Sequence, residues 1–347
     1  MSKKESAENV QDLGEFGLIK KLTADIVSCQ TSTRKGIGDD AAVLDHGNNE
    51  TVVTTDMLLE GVHFDLTYFP LKHLGYKAVT VNLSDLFAMN AIPQQITVSI
   101  GISAKFSISS IEELYKGIKL ACKQYDVDLV GGDTCASMNG LVISITAIGM
   151  CAPGSAIFRA GAKANDLICV SGDLGGAYMG LLVLQREMEL FNKDTSQQPK
   201  LNEYQYILEK QLKPEARQDI ISDLRQKEIK PSSMIDISDG LSSDLLHLCD
   251  SSGLGCKIFA SKIPINRETE NLAIEMGLSP LVAALNGGED YELLFTLNLE
   301  YFDSIQNMDQ ISVIGHMVNV TEGTNMILDD DTSVPLLAQG WKAENAM

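Results

Sequence analysis

Six short segments join a carboxylate to glycine or to a small polar residue: Gly38-Asp39-Asp40, Thr54-Thr55-Asp56, Asn82-Leu83-Ser84-Asp85, Gly131-Gly132-Asp133, Asp236-Ile237-Ser238-Asp239-Gly240 and Gly287-Gly288-Glu289-Asp290. Taken singly, each reads as a turn or a helix N-cap, the commonest use of Asp beside Gly. Six of them with almost no interposed Lys or Arg are harder to assign to turns alone. Carboxylates gathered in one crevice repel, and they stay ionised only if something neutralises them. A hard divalent cation does this: Mg²⁺ takes carboxylate, hydroxyl and water oxygens, usually through one or two carboxylates plus substrate phosphates. Thr54, Thr55 and Ser84 offer hydroxyls beside Asp56 and Asp85, whereas Cys and His are missing from all six segments, which counts against zinc or another soft metal. The segments read as a site for several Mg²⁺ ions and a polyphosphate.

The remainder of the sequence narrows the class. The 347 residues carry a formal charge of −20, and a chain of this length accommodates two domains. Nucleic acid and anionic membrane surfaces are bound through a Lys/Arg surplus, so neither is expected as a partner. Charges scattered over the surface serve solubility. The first nine residues lack the apolar core of a secretory signal. The longest apolar stretches, Leu141–Ala152 and Ala177–Leu184, are shorter than the roughly 20 residues that span a bilayer. Seven cysteines, at 29, 122, 135, 151, 169, 249 and 256, are scattered without a Cys-x-x-Cys pair, a pattern that suits free thiols in a reducing cytoplasm. There is no Gly-x-x-x-x-Gly-Lys-[Ser/Thr] loop and no protein-kinase catalytic-loop signature. Ser171-Gly172-Asp173-Leu174-Gly175-Gly176-Ala177 lacks the full dinucleotide fingerprint; it reads as a tight strand-to-helix turn, with phosphate contact as the alternative.

Short β-rich runs alternate with helices along the chain. Strand-like runs are expected at Thr51–Thr55, Ala78–Leu83, Ile96–Ile100, Asp128–Val130, Leu141–Gly149, Asp166–Ser171, Met234–Ile237, Gly255–Phe259, Tyr291–Leu297 and Ile311–Met317. Helices are expected at Leu13–Val27, between Ser110 and Tyr125, at Leu241–Ser251 and near Glu268–Met276. The polar stretch Asn192–Glu203 reads as an exposed loop. Turn chemistry at Cys151-Ala152-Pro153-Gly154-Ser155 places a domain boundary near residue 153. The expected organisation is a tail over residues 1–11, a mixed α/β domain over 12–152 and a second α/β domain over 153–347. In α/β folds, loops at strand ends converge on a crevice while the strands hold them rigid, so the carboxylates are expected at strand termini.

In order along the chain, Ile37-Gly38-Asp39-Asp40-Ala41-Ala42, Thr54-Thr55-Asp56 followed by Glu60-Gly61-Val62-His63-Phe64, Val81-Asn82-Leu83-Ser84-Asp85, Val130-Gly131-Gly132-Asp133-Thr134, Asp236-Ile237-Ser238-Asp239-Gly240-Leu241 and Gly287-Gly288-Glu289-Asp290-Tyr291-Glu292-Leu293 resemble the thiamine-monophosphate kinase family over roughly residues 12–342. The resemblance implies ATP-dependent transfer of a phosphoryl group onto thiamine monophosphate. It also implies the aminoimidazole ribonucleotide synthetase-like superfamily, whose N-terminal domains pair between two subunits into a β-barrel. Nucleotide and metals lie in a cleft between the two domains, and a homodimer is expected by analogy. By motif, Asp39, Thr54, Thr55, Asp56, Asp85, Asp133, Asp236 and Asp239 match Mg²⁺ positions, with Asp56, Asp85 and Asp239 the most critical. Gly132, Asp133, Arg159 and Ser238 match nucleotide contacts, with Tyr115 a softer candidate. His63, Glu289 and Trp341 match positions that contact the thiamine substrate.

The residues carry bland readings as well. His63 suits a structural histidine, Arg159 a plain interdomain salt bridge, and Trp341 a packing anchor. Tyr291 and Phe295 suit wall packing, and His46, His73, His247 and His316 read as structural. The resemblance leaves a selenophosphate synthetase-like enzyme as a same-fold rival, although Cys29 lacks the glycine-rich setting that reaction needs. A two-metal phosphohydrolase or a nucleotide-binding module could also use clustered carboxylates.

Overall fold

The computed structural model describes residues 33–35, 38–45, 47–196 and 198–338. The expected tail and first helix, together with Cys29, His46 and Trp341, lie outside the described residues. The first sheet comprises β1 (Thr33–Lys35), β2 (Ala42–Asp45), β3 (Glu50–Leu59), β4 (Ile92–Ile102), β5 (Asp128–Ala136) and β6 (Leu141–Cys151), in the spatial order β1-β2-β3-β6-β4-β5. Its neighbours run antiparallel except the parallel β4–β5 pair. Side chains alternate along β6: Leu141, Ile143, Ile145 and Ala147 are buried, while Val142, Ser144, Thr146 and Ile148 face outward and are only half-covered. The sheet is open, and its edge strand β5 is exposed along its whole length.

Helix α1 (Leu71–Ala88) packs on β3 and β6, and α2 (Ile108–Tyr125) packs on α1. This corrects the strand expected at Ala78–Leu83. Fourteen of the 18 residues of α1 are buried, so the helix is wrapped on all sides and shows no polar stripe. The β-branched run Ala78-Val79-Thr80-Val81 then looks locally like a buried strand, an ambiguity periodicity does not resolve over so short a run. The two helices approach through glycine. A Cβ on Gly75 would lie 2.0 Å from the Leu114 carbonyl oxygen, and one on Gly117 would lie 1.9 Å from that of Lys72. Gly117→Ala therefore forces α1 and α2 apart and is expected to cost about 1–3 kcal/mol, the range of overpacking defects. Urea unfolding measures this; an unchanged midpoint would contradict the crossing geometry.

The second sheet comprises β7 (Leu167–Ser171), β8 (Ser233–Asp236), β9 (Leu254–Phe259), β10 (Leu293–Leu297), β11 (Ile311–Asn319), β12 (Thr324–Ile327) and β13 (Ser333–Pro335), ordered β13-β12-β9-β11-β7-β10-β8. Six helices accompany it: α3 (Gly176–Lys193), α4 (Gln205–Leu212), α5 (Gln218–Gln226), α6 (Leu241–Ser252), α7 (Arg267–Glu275) and α8 (Pro280–Asn286), with the single turn α9 (Phe302–Ile305) near the end. Strands β7 and β10 are buried throughout, as their unbroken apolar runs require. The chain is thus a mixed α/β fold with two sheets. Its apolar core is continuous between them: Leu74, Leu83 and Ile143 belong to the same cluster as Leu167, Ile220, Leu293 and Phe295. The turn at residues 151–155 separates the sheets but not the core.

Candidate active site

The expectation that carboxylates stand at strand ends holds for Asp236, the last residue of β8, and fails for three others. Asp56 lies within β3, Asp133 within β5, and Asp85 in the last turn of α1. A buried helix thus performs part of the work expected of loops. Pairing between β2 and β3 runs from Asp45↔Glu50 to Ala42↔Val53. Beyond Val53 that edge of β3 is taken over by α1, whose Asn82 Oδ1 accepts the Asp56 N–H at 3.0 Å. Thr54 Oγ1 donates to Asp85 Oδ2 at 2.6 Å, and Ser84 Oγ donates to Asp236 Oδ2 at 2.6 Å. Consecutive residues of one helix therefore tie β3 of the first sheet to β8 of the second.

These ties bring Asp40, Asp85 and Asp236 together, each with a carboxylate oxygen within 4.8 Å of the others. Arg159 closes the group from the connection between the sheets: its guanidinium donates through Nε and Nη2 to Asp40 Oδ1, and its backbone N–H donates to Asp39 Oδ1 at 3.1 Å. Burial dominates the electrostatics. It raises Asp40 to about 7 against the pull of Arg159, and Asp236 to about 6 against the hydrogen bond from Ser84. Asp85 is pushed well above the carboxylate range by burial and by the charges of Asp56, Asp236 and Asp40. Asp40 Oδ2 is buried without a hydrogen-bond partner. Such a cluster is poorly stabilised by the protein alone and presents an all-oxygen donor set, which fits a hard divalent cation.

The other sequence candidates are dispersed. Asp239 is half-buried beside the cluster, within electrostatic reach of Arg159 and His247; burial raises its carboxyl, and its N–H donates to the buried Asp244 at 3.2 Å. Ser238 is exposed, and its carbonyl accepts the Glu289 N–H at 2.7 Å. Thr55 points to the opposite face of β3 from Thr54 and Asp56, where its hydroxyl donates to the Ile145 carbonyl, because strand side chains alternate. Gly132 and Asp133 lie on the exposed edge strand β5, with the Asp133 carboxylate accepting the Thr134 N–H at 2.8 Å. Tyr115 lines a separate groove of about 670 Å³ with Ile102, Phe106 and Ile111.

His63 and Glu289 share a corner next to the cluster. His63 Nδ1 accepts the Leu59 N–H at 3.1 Å, so the neutral ring presents Nε2–H outward, and burial lowers its pKa and favours that neutral form. Glu289 and Tyr291 both hold left-handed backbone, at φ 60° and 52°, and their N–H groups are anchored to the Ser238 and Ile237 carbonyls. Strain of this kind persists where the surroundings over-determine a conformation. It also corrects the reading of Tyr291 as a strand residue: β10 begins at Leu293, and burial first, then the charges of Glu289, Asp56, Asp236 and Asp85, oppose ionisation of the Tyr291 hydroxyl.

Between Glu289 and Tyr291, Asp290 takes the N-terminus of α3, accepting the N–H groups of Gly175 at 2.8 Å and Ala177 at 3.3 Å. The Ser171–Ala177 segment is therefore a strand-to-helix turn whose anion site is filled by the protein's own carboxylate. Burial raises Asp290 to about 7. Below the unfolded carboxyl pKa both states are protonated and the stability is fully present; it is lost as pH rises toward 7 and the folded group is made to ionise. Asp290→Asn is accordingly expected to weaken the fall in stability between about pH 4 and 7 by up to one proton. Thermal melts across that range test the slope, and an unchanged slope would contradict the assignment.

Asp40 and Asn82 stand in the carboxylate segments without a role of their own, and Lys77 and Gln211 carry no signal there. Asp40 stands beside Asp39, and the motif alone does not say which of the two enters the cluster. Lys77 was detectable as a lone charge within an apolar run, since lysine is almost never fully buried unless paired.

With this geometry in place, residues 38–151 match the family described as AIR synthase related protein, N-terminal domain. A thiamine-monophosphate kinase from Aquifex aeolicus (strain VF5) is 33% identical over 333 residues, covering 96% of this chain and 99% of that protein. The chain belongs to the thiamine-monophosphate kinase family. A second family member, from Bacillus subtilis (strain 168), is 34% identical over 95% of this chain and 99% of its own length. A solved structure described as AaThiL complexed with AMPPCP and TMP superposes with a TM-score of 0.82 at 30% identity, covering 97% of this chain and 99% of that one. Membership makes the chain a phosphotransferase.

Proposed function

We propose that the protein transfers the γ-phosphoryl group of ATP directly, in line, onto thiamine monophosphate, giving thiamine diphosphate and ADP in an Mg²⁺-dependent reaction. The observation that carries this reading is the convergence of Asp40 from the bend before β2, Asp85 from α1 and Asp236 from the end of β8, beside the His63–Glu289 corner. The solved relative complexed with AMPPCP and TMP supports the choice of substrates. The acceptor is a phosphate monoester with a second pKa of about 6, so its attacking oxygen is largely ionised at pH 7 and needs no general base. Catalysis then consists of positioning together with charge compensation for two phosphate groups in one crevice.

Asp40, Asp85 and Asp236 would hold Mg²⁺ together with Asp39, Thr54, Asp56 and Asp239, and the bound ions would supply the positive charge that offsets this crowding. Arg159 orients Asp40 and offers the guanidinium that matches a nucleotide phosphate. Ser238 and the Gly132–Asp133 pair complete the nucleotide contacts. His63 donates Nε2–H, and Glu289 accepts from the aminopyrimidine or faces the cationic thiazolium, with Trp341 stacking on the ring. In this reading the described parts of the two halves, before and after residue 153, would form the two walls of the cleft. The exposed edge of β5 and the half-covered outer face of β6 support pairing of two copies through the first sheet, as in the barrel of the superfamily. No described helix is long and apolar enough to cross a membrane, and free cysteines suit a cytoplasmic setting.

ADP release measured with and without thiamine monophosphate tests this reading. ADP formation that requires the acceptor supports it, whereas equal ADP and phosphate release without acceptor would identify a hydrolase.

A further inference from the structure

Lys77 is the largest of the fully buried side chains, 1% exposed in the middle of α1, and its ammonium is aimed at the second half of the chain. It meets Glu289 Oε1 at 2.8 Å, donates to the Gln211 carbonyl at 3.2 Å and sits 5.5 Å from the centre of the Phe69 ring. Gln211, itself buried, donates through Nε2 to the other carboxylate oxygen of Glu289 at 2.9 Å. Both oxygens of Glu289 are thus gripped from one side by groups out of contact with water. The Glu289 side chain as a whole remains 30% exposed, within electrostatic reach of His63.

A buried ammonium is retained only when paired, because its desolvation is otherwise prohibitive. Glu289 in turn sits on strained backbone anchored to Ser238. This arrangement fixes the orientation of the Glu289 carboxylate while leaving its side chain partly open. Resting on the reading of Glu289 as a substrate contact, we infer that Lys77, with Gln211, is a positioning residue for substrate selection. It fixes the Glu289 carboxylate as an acceptor for the amino group or cationic ring of the thiamine moiety and plays no part in handling ATP. Since α1 also carries Asn82, Ser84 and Asp85, one helix sets the register of Glu289 against the carboxylates of the Asp40–Asp85–Asp236 cluster.

The test is a kinetic double-mutant cycle on the intact protein, with Lys77→Met, Glu289→Gln and the double variant, each checked by a thermal melt. Loss of a charge-assisted contact is expected to raise KM for thiamine monophosphate by about tenfold or more in each single variant, with KM for ATP within about twofold. The double variant should be no worse than Glu289→Gln alone, since Lys77 acts through that carboxylate. Equal loss for both substrates, or additive effects in the double variant, would overturn the inference and leave Lys77 as an interdomain tie. If Glu289→Gln alone leaves KM for thiamine monophosphate unchanged, the assignment of Glu289 fails first. Should Lys77→Met not fold, Gln211→Ala reads the same coupling from the other oxygen: an unchanged KM for thiamine monophosphate there would overturn the inference, and a selective rise would support it.

Discussion

Asp85→Asn is expected to lower kcat by about three orders of magnitude while raising the melting temperature of the metal-free protein. The two effects share one cause. Asp85 is buried among Asp56, Asp236 and Asp40, and both burial and those like charges oppose its ionisation. Asparagine keeps an oxygen for the Thr54 hydroxyl, which donates to Asp85 Oδ2, and removes the charge, so the empty cluster relaxes. With divalent cation added the ranking reverses. The native protein gains stability by mass action as the cation binds the folded state, and the variant loses most of that gain. Melting curves with EDTA and with Mg²⁺, paired with initial rates, measure both arms. Near-normal kcat at saturating Mg²⁺ would remove Asp85 from the site.

Arg159→Met should carry the opposite thermal sign. The guanidinium is 16% exposed and the Asp40 carboxylate 1%, so methionine replaces the apolar stem and strands a buried carboxylate. Removing one member of a buried pair costs about 3–5 kcal/mol, and here about 2–4 because Arg159 keeps a partly open edge. The backbone N–H that donates to Asp39 is retained, which confines the defect to Asp40. Activity is expected to fall by about a hundredfold or more as Asp40 loses its orientation, with the rise in KM larger for ATP than for thiamine monophosphate. Arg159→Lys should recover part of the stability and little of the activity, since an ammonium lacks the planar fork. Full activity in a destabilised Arg159→Met would reduce Arg159 to a plain salt bridge.

The contrast between these two variants reflects what was legible in the sequence. The six carboxylate segments were visible because Asp beside Gly or Ser is conspicuous, and strands β4 and β6–β11 with helices α2, α6 and α7 were readable from periodicity, whereas α3, α4, α5 and α8 were given no bounds. Helix α1 was not, although it organises the site. Its surroundings are apolar on all sides, so the run Ala78–Leu83 lacked the polar stripe that distinguishes a helix. Reading it as a strand hid the relation of Lys77 to Asn82, Ser84 and Asp85, which only helical geometry places on one element. Thr55 shows a complementary effect: three adjacent oxygen-bearing residues suggest one site, but a strand sends the middle hydroxyl to the other face, where it donates to the Ile145 carbonyl. Tyr291 read as strand packing because nothing in Gly-Glu-Asp-Tyr-Glu-Leu announces two left-handed residues.

The central claim, direct transfer onto a phosphate acceptor, is tested most directly by following ³¹P spectra of the protein with ATP, Mg²⁺ and thiamine monophosphate. The account predicts paired resonances of thiamine diphosphate growing in step with those of ADP, with inorganic phosphate absent. Inorganic phosphate accumulating while thiamine monophosphate persists would contradict it.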